Sequence, residues 1–333
     1  MEALYTVCLL VVGTTMGHAF IDAVYSGQTH LIPGLYEQRH DVAEVDHSNR
    51  TALHVAAEIK NIDAIRLLCE CSTTKNFLNH RNTEGLTALH IAVRFKAIAI
   101  VALLIEQGAS ATTSDHAMVT PLHDAVRSGY GRIMHALLEA GASMYVRDSS
   151  SYTPLLRSAT VSVGIFSRLR RHQSFQGVGQ HMTTNRGETI LHLAYKANNS
   201  ELLDFLLESY IFDVNARDCS GNTLLHYAAR DGHDVWVEPL LSRYRAYSSQ
   251  PNIDSQTPLD LAEEMVLPWQ DQHEIWPVDH AACVHILRLR RLENIYTIRN
   301  FNLINASDHV YHDGTPSGDP LTEDVMRMVL SYL

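Results

Sequence analysis

The stretch Gly221-Asn222-Thr223-Leu224-Leu225-His226-Tyr227-Ala228-Ala229-Arg230-Asp231-Gly232-His233 decides how the chain folds, because shorter echoes of it recur at a nearly fixed interval. The echoes open at Thr51 (TALHVAA), Thr87 (TALHIAV), Thr120 (TPLHDAV), Thr153 (TPLLRSA), Thr189 (TILHLAY), Thr223 (TLLHYAA) and Thr257 (TPLDLAE), in steps of 36, 33, 33, 36, 34 and 34 residues. An eighth, degenerate unit precedes them. Residues 20–27 (FIDAVYSG) match 122–129 (LHDAVRSG) at a constant offset of 102, which puts its opening position on His18.

Each part of the repeat has a physical task. Thr caps a helix N-terminus, and Pro at the next position forfeits no hydrogen bond there. Five of the seven Thr are followed by Leu two residues later and His three later, as in Leu53-His54 and Leu122-His123. The Leu and the Ala pair after it face a neighbouring unit. A Leu pair 16 or 17 residues past the Thr (Leu67-Leu68, Leu103-Leu104, Leu137-Leu138, Leu206-Leu207, Leu240-Leu241) marks the buried seam of a second helix. Gly108 and Gly141 follow two of these helices, where glycine takes the left-handed conformation that ends them.

A period near 33 carrying a T-P-L-H-x-A core resembles the ankyrin repeat family. The resemblance implies an all-α solenoid of about eight helix-turn-helix units with short hairpin-like turns, followed by a C-terminal amphipathic helix. Boundaries follow: an N-terminal capping segment at 1–16, repeats over 17–292 starting near 18, 51, 87, 120, 153, 189, 223 and 257, a linker at 293–320, and a last helix at 321–333. Pro239 falls inside a second helix and is expected to kink it. An insertion near 266–277, with Trp269 and Trp276, separates Thr257 from a late second helix at 281–292.

Of the 333 residues 46% are hydrophobic, and a solenoid can bury them without one enlarged core. The net charge of -11 disfavours nucleic acid and anionic membranes as general partners. Five Cys, odd in number and without paired C-x-x-C spacing, read as reduced thiols of a cytoplasmic protein, with the nucleus as a second compartment. Leu4 to Val12 (LYTVCLLVV) is too short to span a bilayer and has no basic residue ahead of it, so it reads as a cap. A structural or membrane-associated repeat protein inserted through this run is the rival reading.

Nothing here is built for chemistry. His54, His90, His123, His192 and His226 occupy the repeat position, which the family resemblance assigns to backbone hydrogen bonding. The other His fall on no metal pattern, and no phosphate loop, dinucleotide fingerprint or nucleophile elbow is present. The reading is a non-enzymatic protein with no cofactor and no metal. Its partner is a protein client lying along the concave face and the turn tips. The tips offer Glu84, Asp115, His116, Asp148, Arg186 and Asp218, and the groove offers Arg94, Arg127, Tyr130, Lys196 and Arg230. Arg168, Arg170, Arg171 and His172, with Arg186, form the most basic part of the array.

The final residues place Leu321, Val325, Met328, Val329 and Tyr332 at helical spacing. This tail is similar to the opening helix of an F-box, with Pro320-Leu321 inverting the usual Leu-Pro. Shortened F-box-like (PRANC) tails end poxvirus ankyrin host-range proteins, so the resemblance implies docking to a cullin ubiquitin-ligase adaptor in a host-virus setting. A helix that merely caps the last repeat fits the same residues.

Overall fold

The computed structural model describes residues 18–72, 74–173, 175, 182–266 and 278–307. The capping segment at 1–16, the Trp269 and Trp276 pair and the tail from 308 onward lie outside the described residues. Within them the structure is all α, with seventeen α-helices and two 3-10 turns.

The helices come in eight pairs. They are α1 (Ala19–Tyr25) with α2 (Ile32–Glu37), α3 (Ala52–Glu58) with α4 (Ile62–Cys71), then, after the short α5 (Lys75–Leu78), α6 (Ala88–Arg94) with α7 (Ile98–Glu106) and α8 (Pro121–Arg127) with α9 (Gly131–Glu139). The chain goes on with α10 (Pro154–Arg157) and α11 (Val163–Arg171), α12 (Ile190–Lys196) and α13 (Ser200–Glu208), α14 (Leu224–Arg230) and α15 (Asp234–Ser242), and finally α16 (Pro258–Val266) and α17 (Val278–Ser307). First helices stack on first helices, α1 on α3, α3 on α6 and α6 on α8, while α2, α4, α7 and α9 stack in a second layer.

The core between the layers is the Leu seam and the Ala pairs. Leu68, Leu104, Leu137, Leu169, Leu206 and Leu240 are fully buried, as are Ala56, Ala92, Ala125 and Ala228. Each leucine buried this way contributes about 1.5–3 kcal/mol. Ala at the contact lets successive first helices approach closely, which a larger side chain would prevent.

The Thr and His of each unit do more than start a helix. Thr51, Thr87, Thr120, Thr189 and Thr223 are N-caps of reciprocal boxes: the Thr hydroxyl accepts the His N-H, and the His ring accepts the Thr N-H. Nδ1 takes that proton at 3.1–3.2 Å, so the opposite nitrogen must carry the ring hydrogen. Nε2 then donates to a carbonyl in the next unit: His54 to Leu86, His90 to Val119, His123 to Tyr152, His192 to Asn222 and His226 to Gln256, at 3.0–3.3 Å. Asp260 closes the same box on Thr257, accepting its N-H at 2.8 Å. In the degenerate first unit Glu44 reaches back to accept the Phe20 N-H at 2.6 Å.

Pro239 lies inside α15, which continues from Asp234 to Ser242, and Trp236 packs on the core beside it. One expectation needs correction. Residues 293–307, expected to be linker, prolong α17, which runs for 30 residues without Gly or Pro to stop it.

Candidate protein-binding surface

Seven residues stand five positions before each repeat Thr: Asp46, Asn82, Asp115, Asp148, Thr184, Asp218 and Asn252. Each side-chain oxygen accepts the backbone N-H groups two and four residues later, at 2.8–3.3 Å. This turn has a mechanism: the short polar side chain bonds its own backbone and folds the tip over itself. The residue three past it is left-handed in every case, from Asn49 and Gly85 to Gly221 and Ser255. Asp115, Asp148 and Asp218 therefore build the tips, and the first two are buried. Asp148 also accepts from Arg157.

Neighbouring tips are joined. The N-H of Thr83 donates to Ser48 O, His116 to Glu84, Ser149 to Ala117, Cys219 to Arg186 and Ile253 to Ser220, at 2.8–3.2 Å. The side chains of Glu84, His116 and Arg186 remain exposed along this edge.

The basic groove residues are largely neutralised by neighbours within the array. Arg94 donates to Asp124 at 2.8 Å and Asp115 at 3.4 Å, and Arg127 donates to the other oxygen of Asp124 at 2.6 Å. Lys196 donates to Glu188 at 2.5 Å and lies 4.4 Å from the centre of the Tyr227 ring, with Arg230 on the same ring at 5.0 Å. Arg230 also donates to Asp231 at 2.8 Å. Tyr195 packs beneath this group with its hydroxyl 2.7 Å from His233 Nδ1, and burial, with Asp231 beside it, pushes its pKa up.

One register further along, the surface changes character. Ile59 (43% exposed) and Ile62 (37%) stand eight and eleven residues past Thr51, and Phe95 (42%) and Ile98 (41%) hold the same places past Thr87. The two units are stacked, so the two exposed pairs occupy equivalent positions on neighbouring repeats. Between them the chain turns through Lys60 and Lys96, both left-handed with φ of 61°, where Gly27, Gly129 and Gly232 serve other units. Lys96 extends the patch by placing its ammonium 5.0 Å from the ring of half-buried Tyr130. Sequence reasoning named Tyr130 but missed the quartet, although the signal was present as apolar residues at solvent-facing repeat positions.

Among the described residues no cluster of three His, Cys, Asp or Glu side chains is placed to hold a metal ion. None of the described helices is long and apolar enough to cross a membrane.

The family model for ankyrin repeats matches three times, over residues 20–115, 78–148 and 161–254, which together exceed half of the chain. The chain belongs to the ankyrin repeat family. It is similar to a Rickettsia bellii protein named for its ankyrin repeats, with 41% identity over 78 residues, 23% of this chain and 42% of that protein. SMC5-SMC6 complex localization factor protein 1 is 27% identical over 172 residues in Bos taurus (46% of this chain, 16% of the relative) and 38% identical over 79 residues in Homo sapiens (24% and 8%). The chain thus spans under half the length of each of these relatives. Ankyrin repeats are protein-interaction modules, and that coarse role attaches to this array.

Proposed function

We propose that the chain is a non-enzymatic scaffold, working in the cytoplasm, whose client seats on Ile59, Ile62, Phe95 and Ile98 and extends toward Tyr130. The exposed apolar quartet carries this reading. Apolar side chains gathered on an otherwise charged surface mark contact sites, and aromatic anchors at their centre dominate binding energy. Lys60 and Lys96 hold strained left-handed positions beside the quartet and would meet carboxylates at its rim. The relatives named for the SMC5-SMC6 complex are similar to this chain over only 172 and 79 residues, which leaves the client open.

Affinity capture with mass spectrometry tests the proposal on the wild-type chain and on Phe95→Glu/Ile98→Glu. The double variant should keep its helical circular dichroism and lose the proteins that the wild type retains reproducibly. Identical capture by both would remove the quartet as the docking site.

A finer reading adds that Leu321, Val325, Met328, Val329 and Tyr332 dock a cullin-ligase adaptor, making the protein a substrate receptor. It rests on the F-box-like spacing of the tail alone. Deleting 321–333 should then abolish adaptor pull-down while leaving client capture unchanged, and equal pull-down by the truncated chain would refute it.

A further inference from the structure

α7 packs on α9, but α9 and α11 leave between them a cavity of about 530 Å³ in the layer of second helices. Small-molecule sites fall within roughly 300–1,000 Å³. The cavity is partly open to solvent and is lined by Met134 and Leu138, which are largely buried, by the exposed Arg168 and Arg171, and by His135, His172 and Glu139.

The charges in this cavity are arranged unlike those of the groove. Glu139 is already engaged, 3.2 Å from His172 Nε2 and 3.8 Å from His135 Nδ1. Among the described residues neither Arg168 nor Arg171 has a carboxylate within ion-pairing distance, whereas Arg94, Arg127, Arg157, Lys196 and Arg230 all do. Three arginines end α11, where any one would complement the helix dipole. Arg170 lies over the Phe205 ring at 5.5 Å, and the other two line the cavity. Arg168 rests flat against Gly131: a Cβ on that glycine would lie 3.2 Å from its Cζ, Nε and Nη1.

We propose that this cavity binds a phosphate monoester. Two guanidinium groups without acidic partners repel a cation and supply the forked donors that phosphate oxygens accept in pairs. The space exceeds a bare phosphate, and Met134 with Leu138 provides contact for an organic portion. The source of the monoester is either a free metabolite or a phosphorylated side chain of a protein. The site is separate from the apolar quartet, so the two readings stand or fall independently.

Isothermal titration of the full chain tests this with O-phosphoserine, a phosphoserine peptide, the same peptide unphosphorylated, and succinate. Phosphoserine should bind, and Arg168→Ala/Arg171→Ala should weaken it at least tenfold, while Arg243→Ala, on an exposed pair elsewhere, leaves it unchanged. Gly131→Ala, which displaces Arg168 by a methyl group, should weaken binding without lowering the melting temperature. Tighter binding of the phosphopeptide than of free phosphoserine assigns the source to a protein, and equal binding assigns it to a metabolite. Absence of binding by both phosphorylated probes, undiminished binding by the double arginine variant, or succinate binding as well as phosphoserine would overturn the proposal.

Discussion

Nε2 of His54 donates to the carbonyl of Leu86 across 3.0 Å, while Nδ1 of the same ring accepts the N-H of Thr51 at 3.1 Å. Only the neutral ring satisfies both, since a proton on Nδ1 would face another donor. Burial holds His54 and His90 down to a pKa of about 4 and lowers His123, His192 and His226 as well.

Stability should therefore depend on pH in one direction. These folded-state values lie below the unfolded value near 6.5, so the unfolded chain binds protons first as pH falls. The stabilisation is complete above about pH 7 and is lost between about 6.5 and 4, at about 3 kcal/mol for each of His54 and His90. Urea midpoints should be flat above pH 7 and drop steeply below 6. His90→Gln should be less stable at pH 7.5 and show a shallower drop, and parallel curves for both proteins would exclude this ring as a source.

Asp124 is buried and accepts from both Arg94 and Arg127. Asp124→Ala leaves Arg94 with only its longer contacts to Asp115 and Glu84 and should cost about 2 kcal/mol, whereas Arg127→Ala, at an exposed side chain, should cost under about 1 kcal/mol. Chemical denaturation of the two single variants and the double variant gives the coupling directly.

Met118 is left-handed with φ of 61° at a tip position where Gly85, Gly187 and Gly221 serve other units. Met118→Gly should stabilise the chain by about 1 kcal/mol by relieving that conformation, even after the entropy cost of glycine. Gly85→Ala should do the reverse, because its Cβ would sit 2.7 Å from the backbone nitrogen of His116. Thermal melts separate the two signs.

The units that open at Thr153 and Thr189 are tied differently from the rest. Leu156 replaces the bridging His, and among the described residues no backbone bond joins the tip at Ser150 to that at Asn185. Arg147 donates to Thr183 O at 2.6 Å and Asn199 to Ala159 O at 3.1 Å instead, with the Phe166 ring 6.1 Å from that of Phe205. Native-state hydrogen exchange should find lower protection at the start of α12 than at the start of α14. Equal protection would mean that the aromatic contacts replace the missing bonds.

The stacking was legible because the Thr-to-Thr step and the Leu seam are set by helix geometry, which every unit must obey. The tip residues were visible too, five places before each Thr, but Asp115 and Asp148 looked like projecting charges until their oxygens were seen to bond their own backbone. The extension of α17 through Ser307 was missed because the repeat pattern had ended at Thr257, and residues 293–307 carry no breaker to argue for or against a helix. Which basic side chains find acidic partners depends on spacing between units, and a linear reading of Arg94 and Arg168 cannot separate them.

The replacement of His by Leu156 also has a mechanical side. A coil whose turns are clipped together at rim and waist behaves as one spring, and where both clips are absent it behaves as two springs in series. Tension applied to the ends of such a molecule concentrates its first extension between Thr153 and Thr189, leaving the halves on either side wound.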